Sequence, residues 1–297
     1  MTADPLFPGF EVRRFRTSGA EIHGVVGGSG PPLLLLHGFP QTHAIWHRIA
    51  PRLAERFTVV ATDLRGYGDS ARPASDERHA PYSKRAMAQD QVEVMGALGF
   101  GRFALVGHDR GGRVAHRLAR DHGERVERLA VLDISPTLRM YQATDQRFAT
   151  LYYHWFFLIQ PHDLPERLVG ADPDYYLMKK LGGWGTRDLP FAEGALAEYR
   201  RCFRDPAAFH AMCEDYRASA TIDLEHDAAD AGRRLSCPLL VLWGANGVVH
   251  RCFRPLDDWR EVAEDVRGEA LPAGHYLPEE VPDATCDRLL RFLGGGR

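Results

Sequence analysis

The chain reads as an α/β protein: a mostly parallel sheet flanked by helices, with a helical cap inserted after the sixth strand. Three observations predict this. Short apolar runs bounded by glycine and proline alternate with helix-like segments from Leu33 to Ile134, the pattern of parallel strands joined by crossover helices. The alternation stops after Pro136, where an aromatic-rich stretch without strand-like runs begins. It resumes near residue 237 with "CPLLVLWGAN". The division expected is a core domain, 1–136 and 231–297, and a helical cap domain, 137–230.

In chain order, two short alternating segments, Glu11–Arg16 and Ile22–Val26, read as an opening hairpin. Leu33–Leu36 in "PPLLLLHGFP" is a continuous apolar run, the mark of a strand buried on both faces. His43–Arg56 reads as a helix, "FTVVATD" as a buried strand and "LRGYGDSARP" as a glycine-rich loop. Helical spacing covers Lys84–Leu98; "RFALVGHD" is a strand, Arg110–His122 a helix and "ERLAVLDIS" a strand again. After the cap come a strand in "LLVLWG", a helix in "PLDDWREVAEDV", a strand and loop in "RGEALPAGHYLPEE", and a closing helix in "PDATCDRLLRFLGG".

Composition narrows the function classes. Hydrophobic residues make up 44% and charged residues 26%, ordinary for a globular protein. The net charge of −3 offers no basic surplus for nucleic acid or an anionic membrane. The opening "MTADPLFPGF" lacks a basic flank and an apolar core, and no later run is long enough to span a bilayer. Five scattered cysteines, none in a C-x-x-C pair, fit a reduced, cytoplasmic protein without structural disulfides or zinc.

The chemistry gathers at the carboxyl ends of the expected strands, where open parallel sheets place ligands. In "ALVGHDRGGRVAHRLA" a strand turns sharply into a helix, and the apex is Asp109 rather than the commoner serine. Close glycines let the backbone approach there, and the helix N-terminus keeps a carboxylate ionised. Such a carboxylate can attack carbon; Asp is equally a good N-cap, so the corner alone leaves both roles open. His275 in "PAGHYLPEE" is placed to act as a general base. Asp133, ending the strand after the nucleophile helix, is placed to orient it. Backbone N–H groups of Phe39 and Arg110 would form an oxyanion hole.

With "HGFPQT", "DLRGYGDS" and "GHDRGGR" in this order, the chain resembles an α/β-hydrolase with an aspartate nucleophile, the haloalkane dehalogenase and epoxide hydrolase branch. Many members carry the acid after the strand that reads "LLVLWG" here, where this chain has Asn246; Asp133 is the acid expected instead. Arg110 and Arg113, three apart on one helix face, suit a substrate carboxylate beside the carbon under attack. Together with "LDISPT" they make the chain most similar to the haloacetate and fluoroacetate dehalogenases. That resemblance implies that His154, Trp155 and Tyr216 bind the departing halide, with Trp184 lining the pocket. It also implies no metal or organic cofactor, a small-molecule halo acid substrate and a homodimer. The competing readings are an epoxide hydrolase with cap tyrosines, a haloalkane dehalogenase, and a non-catalytic relative lacking turnover.

Overall fold

The computed structural model describes residues 4–186 and 189–295. Its centre is an eight-stranded sheet: β1 Glu11–Arg16, β2 Glu21–Gly27, β3 Pro32–Leu36, β4 Thr58–Thr62, β5 Phe103–His108, β6 Val126–Leu132, β7 Leu239–Gly244 and β8 Val266–Leu271. Their spatial order is β1-β2-β4-β3-β5-β6-β7-β8. The β1–β2 hairpin is antiparallel and joins β4 antiparallel; all other pairings are parallel.

The apolar runs explain the layering. Every residue of β5 and β7 is buried, as a strand covered on both faces requires. Alternate side chains feed two cores. Leu33, Leu35, Val106 and Leu242 pack on one face; Leu34, Leu36, Leu105 and Val241 pack on the other. At the far edge, β8 alternates exposed Arg267 and Glu269 with half-buried residues, which blunts that edge.

Between β6 and β7 the described residues form helices from Thr137–Gln142 to Ile222–Ala229 and no strand. Their inward side chains, among them Phe148, Trp155, Leu177 and Phe209, join the apolar cluster of Leu34 and Leu36. These inserted helices therefore share a core with one face of the sheet. One expected element is shorter than its spacing suggests. The helix expected over His43–Arg56 is a 3₁₀ turn, His43–Trp46, followed by a short helix, Ala50–Ala54. Pro51 lies in that helix's first turn, where it has no N–H to carry a helix through from the preceding turn.

The strand order locates the ligand crevice. After β3 the chain first adds β4 on one side, then returns to add β5 on the other. The carboxyl ends of β3 and β5 thus flank a topological switch point. Leu36 pairs with Gly107, so the "HGFP" loop and Asp109 leave the sheet side by side. The helix Arg110–Asp121 then packs unusually close: a Cβ on Gly111 would lie 2.3 Å from His37 O and 2.4 Å from Leu36 O. No rotamer relieves a clash with backbone.

Gly111→Ala should therefore lower stability by about 2 kcal/mol or more, in the range of overpacked cores. Gly123→Ala, where an added Cβ meets nothing within 4 Å, should stay within about 0.5 kcal/mol of wild type. Urea unfolding of both variants checks the contrast; equal losses would contradict it.

Candidate active site

At the switch point Asp109 takes φ 45° and ψ −113°, a conformation that L-residues rarely adopt. Its side chain makes no capping bond to the helix it precedes, so the N-cap role is not the one this carboxylate plays. The Phe39 N–H donates to Asp109 Oδ1 at 3.0 Å. A Cβ on Gly38 would sit 2.7 Å from that same oxygen, which is why the loop reads "HGFP". The Arg110 N–H lies at the start of the helix, beside Gly38. Burial alone would raise the Asp109 carboxyl; the positive charges of His275, Arg113 and Arg110 outweigh it and hold it below the usual carboxylate range.

The "HGFP" loop is itself braced. His37 Nδ1 donates to Gly38 O at 3.0 Å, and His37 Nε2 accepts from the Leu64 N–H at 3.0 Å. Asp63, in the "DLRGYGDS" loop, accepts from His23 Nδ1, His43 Nδ1 and the backbone N–H groups of His43 and Asp69. Burial would lower His43, yet Asp63 and Asp4 carry it up to about 10, so its ring is an imidazolium donating through both nitrogens. The His23–His43–Asp63 group has metal-like spacing, but its donors and acceptors are spent on one another.

His275 follows β8 and Asp133 follows β6. His275 Nδ1 donates to Asp133 Oδ2 at 2.6 Å. Asp133 has a φ of 52°, and its Oδ1 accepts the Gly244 N–H at 2.9 Å. The acid on His275 thus comes from the loop after β6, while Asn246 gives its backbone N–H to Ala273 O. Burial lowers His275; the Asp133 hydrogen bond and the charges of Asp133 and Asp109 outweigh it, so its pKa is raised. His108, one residue before Asp109, donates from Nε2 to His275 O at 2.9 Å. That bond ties the base's backbone to β5.

The two arginines differ. Arg110 is fully buried and forks onto Asp215: Nε to Oδ2 and Nη2 to Oδ1, each at 2.8 Å. Its Nη1 has no partner. The edge of Arg110 expected to grip a ligand is therefore committed, and one nitrogen remains. Arg113 donates to Ser135 O at 3.1 Å, Thr137 Oγ1 at 2.9 Å and Met140 Sδ at 3.3 Å, and its Nε has no partner. Among the described residues no carboxylate lies within ion-pair distance of it. Burial lowers its pKa, and the nearby Asp109 works against that.

The other expected residues surround this pair. The Arg110 Cζ stands 4.2 Å from the Tyr216 ring, and the Arg113 Cζ 4.6 Å from Trp155. His154 stacks on Phe39 with centroids 6.0 Å apart and meets Tyr216 edge-on at 5.6 Å. Trp184 bridges His154, at 4.7 Å, to His275, at 5.0 Å. His154, Trp155 and Tyr216 are all buried, and His154 Nδ1, Trp155 Nε1 and Tyr216 OH have no partner. Burial, and secondarily Lys180 and His275, hold His154 well below its ordinary value, so its ring is neutral. Burial pushes the Tyr216 phenol well up, so it keeps its proton. Buried polar atoms without partners are uncommon in proteins, and here three aromatic donors and two guanidinium nitrogens gather around one carboxylate.

Sequence reasoning missed Asp215, Lys84, Tyr67 and His108. Asp215 directly precedes Tyr216 in "EDYR", but its partner Arg110 is 105 residues away, and no local pattern announces that pairing.

The family model for the alpha/beta hydrolase fold matches residues 31–277. A fluoroacetate dehalogenase from Burkholderia sp is 50% identical over 98% of this chain and 96% of its own length. A soluble epoxide hydrolase from Corynebacterium sp. (strain C12) is 37% identical over 93% and 94%. A crystal structure from Nostoc sp PCC 7120, described as an alpha/beta hydrolase, superposes with a TM-score of 0.95 at 61% identity, covering 96% of this chain and 98% of the other. The chain belongs to the α/β-hydrolase family.

Proposed function

We propose that this protein hydrolyses short 2-halo carboxylic acids, fluoroacetate to glycolate and fluoride foremost, through an ester on Asp109. The observation that carries the reading is Arg113: a buried guanidinium beside Asp109 with no carboxylate within ion-pair distance among the described residues. An anionic substrate supplies that charge. A neutral haloalkane leaves it unpaired, which is costly in a buried site.

The substrate carboxylate sits against Arg113 and the free Nη1 of Arg110. Asp109, its Oδ1 held by the Phe39 N–H, attacks the halogen-bearing carbon with its other oxygen, and the carbon–halogen bond breaks with its electron pair on the halide. His154, Trp155 and Tyr216 donate to the halide, each charge-assisted bond contributing about 1.5–3 kcal/mol. Fluoride, the poorest leaving group of the series, depends most on them. Esterification removes the negative charge of Asp109, one of the charges that raises His275. The base thus becomes easier to hold neutral at the step that needs it. His275, oriented by Asp133, takes a proton from water, which attacks the Asp109 carbonyl carbon. The oxyanion falls to the Phe39 and Arg110 N–H groups. Its collapse breaks the bond between the Asp109 carboxyl carbon and the substrate oxygen, and glycolate leaves with the proton that His275 took from water, regenerating the Asp109 carboxylate. No step requires a metal or organic cofactor. In this reading residues 137–230 act as a cap over the site, and the protein is a cytoplasmic homodimer.

Epoxide hydrolysis is the second reading. It is favoured by the unpartnered Tyr216 phenol, suited to donate a proton to an epoxide oxygen, and by the epoxide hydrolase relative. It leaves Arg113 only the charge of Asp109 to act on, with no ligand charge to meet.

Arg113→Ala should reduce kcat/KM on fluoroacetate by about 30-fold or more, as for truncating one partner of a buried charge pair. Unchanged kinetics on halo acids would remove the carboxylate from the proposal. His275→Asn should stop the reaction at the ester, seen as a mass increase on the Asp109 peptide after exposure to fluoroacetate. Fluoride release by that variant without any adduct would contradict covalent attack.

A further inference from the structure

Behind Arg110 lies a second layer of charge that the reaction as described does not use. Asp215 receives Arg110 on both carboxylate oxygens. The same oxygens take two further contacts, and Arg110 makes two more bonds beside them. Tyr67 OH donates to Oδ2 at 2.7 Å, Lys84 Nζ is bonded to Oδ1, and the Arg110 Nη2 also reaches Asp215 O, at 3.0 Å, and Ser219 Oγ. Lys84 opens the helix Lys84–Ala97; its backbone N–H donates to Asp223 Oδ1 at 2.8 Å, and its Nζ stands 3.6 Å from Asp223 Oδ2. The side chains of Arg110 and Asp215 are 0% exposed and that of Lys84 is 4% exposed.

A buried ion network is a poor means of stabilising a fold, because apolar residues of the same volume do as well or better. This network joins the sheet side, through Lys84, Tyr67 and Arg110, to the helix Pro206–Ala220 of the cap, which also carries Tyr216. Its electrostatics bear on the ligand. A carboxylate clamped on Arg110 with no other cation would cancel the charge that Arg110 offers. Burial would raise Asp215, but Arg110 and Lys84 outweigh it, and the carboxylate stays charged. Burial and the Arg110 charge lower the Lys84 ammonium, with Asp215 and Asp223 working against them. Its Nζ is in direct contact with Asp215 but 3.6 Å from Asp223, so its charge falls chiefly on Asp215.

We propose that Lys84 is a positioning residue for an anionic substrate: by taking up the Asp215 charge it leaves Arg110, oriented by the same carboxylate, with a positive Nη1 for the ligand. Tyr67 assists from the other oxygen. This deepens the halo acid reading of the site and rests on it.

The test measures binding of acetate, a carboxylate that cannot react, and of chloride to the whole chain by calorimetry. Wild type, Lys84→Met and Tyr67→Phe are compared, with kcat and KM for fluoroacetate alongside. Lys84→Met should raise the acetate Kd and the KM about tenfold, and Tyr67→Phe about threefold, roughly 1.4 and 0.7 kcal/mol. The chloride Kd and kcat should stay within about threefold, because the Asp109, His275 and halide donors are untouched. A kcat loss as large as the KM rise, or equal weakening of acetate and chloride, would mark a merely structural role and overturn the proposal. Should Lys84→Met fail to fold, Tyr67→Phe decides: an unchanged acetate Kd overturns it. Wild type that binds no acetate would sink the halo acid reading itself, and this inference with it. Wild type that binds acetate equally well in all three proteins would sink the inference alone.

Discussion

A carboxylate buried as deeply as Asp109 must stay ionised without being neutralised, and most of the site answers that demand. Burial favours the protonated acid, which is no nucleophile. A direct ion pair would restore the charge but occupy an oxygen that the proposed reaction needs free. Asp109 is instead held at one oxygen by the Phe39 N–H, while His275, Arg113 and Arg110 act on it as charges. The same cations are then available to a substrate anion. One electrostatic arrangement thus serves nucleophile and ligand together.

That arrangement is expensive locally, and the fold meets the cost with backbone geometry. Asp109 and Asp133, the two carboxylates of the site, lie at positive φ just past the ends of adjacent parallel strands. Gly38 and Gly111 allow the β3 loop, the nucleophile and its helix to come within backbone contact. The "DLRGYGDS" loop carries Tyr67, whose OH donates to Asp215. It fixes His37 and His43, and through them the loop that presents Phe39. Strain of this kind persists only where the surroundings over-determine it. The sheet, buried on both faces, provides that rigidity.

The sequence was most legible where a local pattern encodes the physics. Continuous apolar runs marked β3, β5, β6 and β7, and the glycine corner marked Asp109. Asn246 in a place where an acid often stands directed attention to Asp133, and Asp133 is the residue that bonds His275. Long-range charge pairing left no such trace. Arg110 and Arg113 look equivalent at three-residue spacing, yet one is forked onto Asp215 and the other meets no carboxylate among the described residues. That difference arises from a cap helix about a hundred residues away. The expectation that His154, Trp155 and Tyr216 bind a halide came from resemblance alone, since "YYHWFF" reads equally as core packing. Their burial without partners is visible only in three dimensions.

The central claim is that a buried, ionised Asp109 attacks the halogen-bearing carbon of a substrate anchored by its own carboxylate. The most direct measurement is fluoride release from fluoroacetate by the purified protein, read with a fluoride electrode beside chloride release from chloroacetate and diol formation from a neutral epoxide. The account predicts fluoride from fluoroacetate and little diol. Diol from the epoxide with neither halide released would contradict it and leave Asp109 the nucleophile of a different reaction.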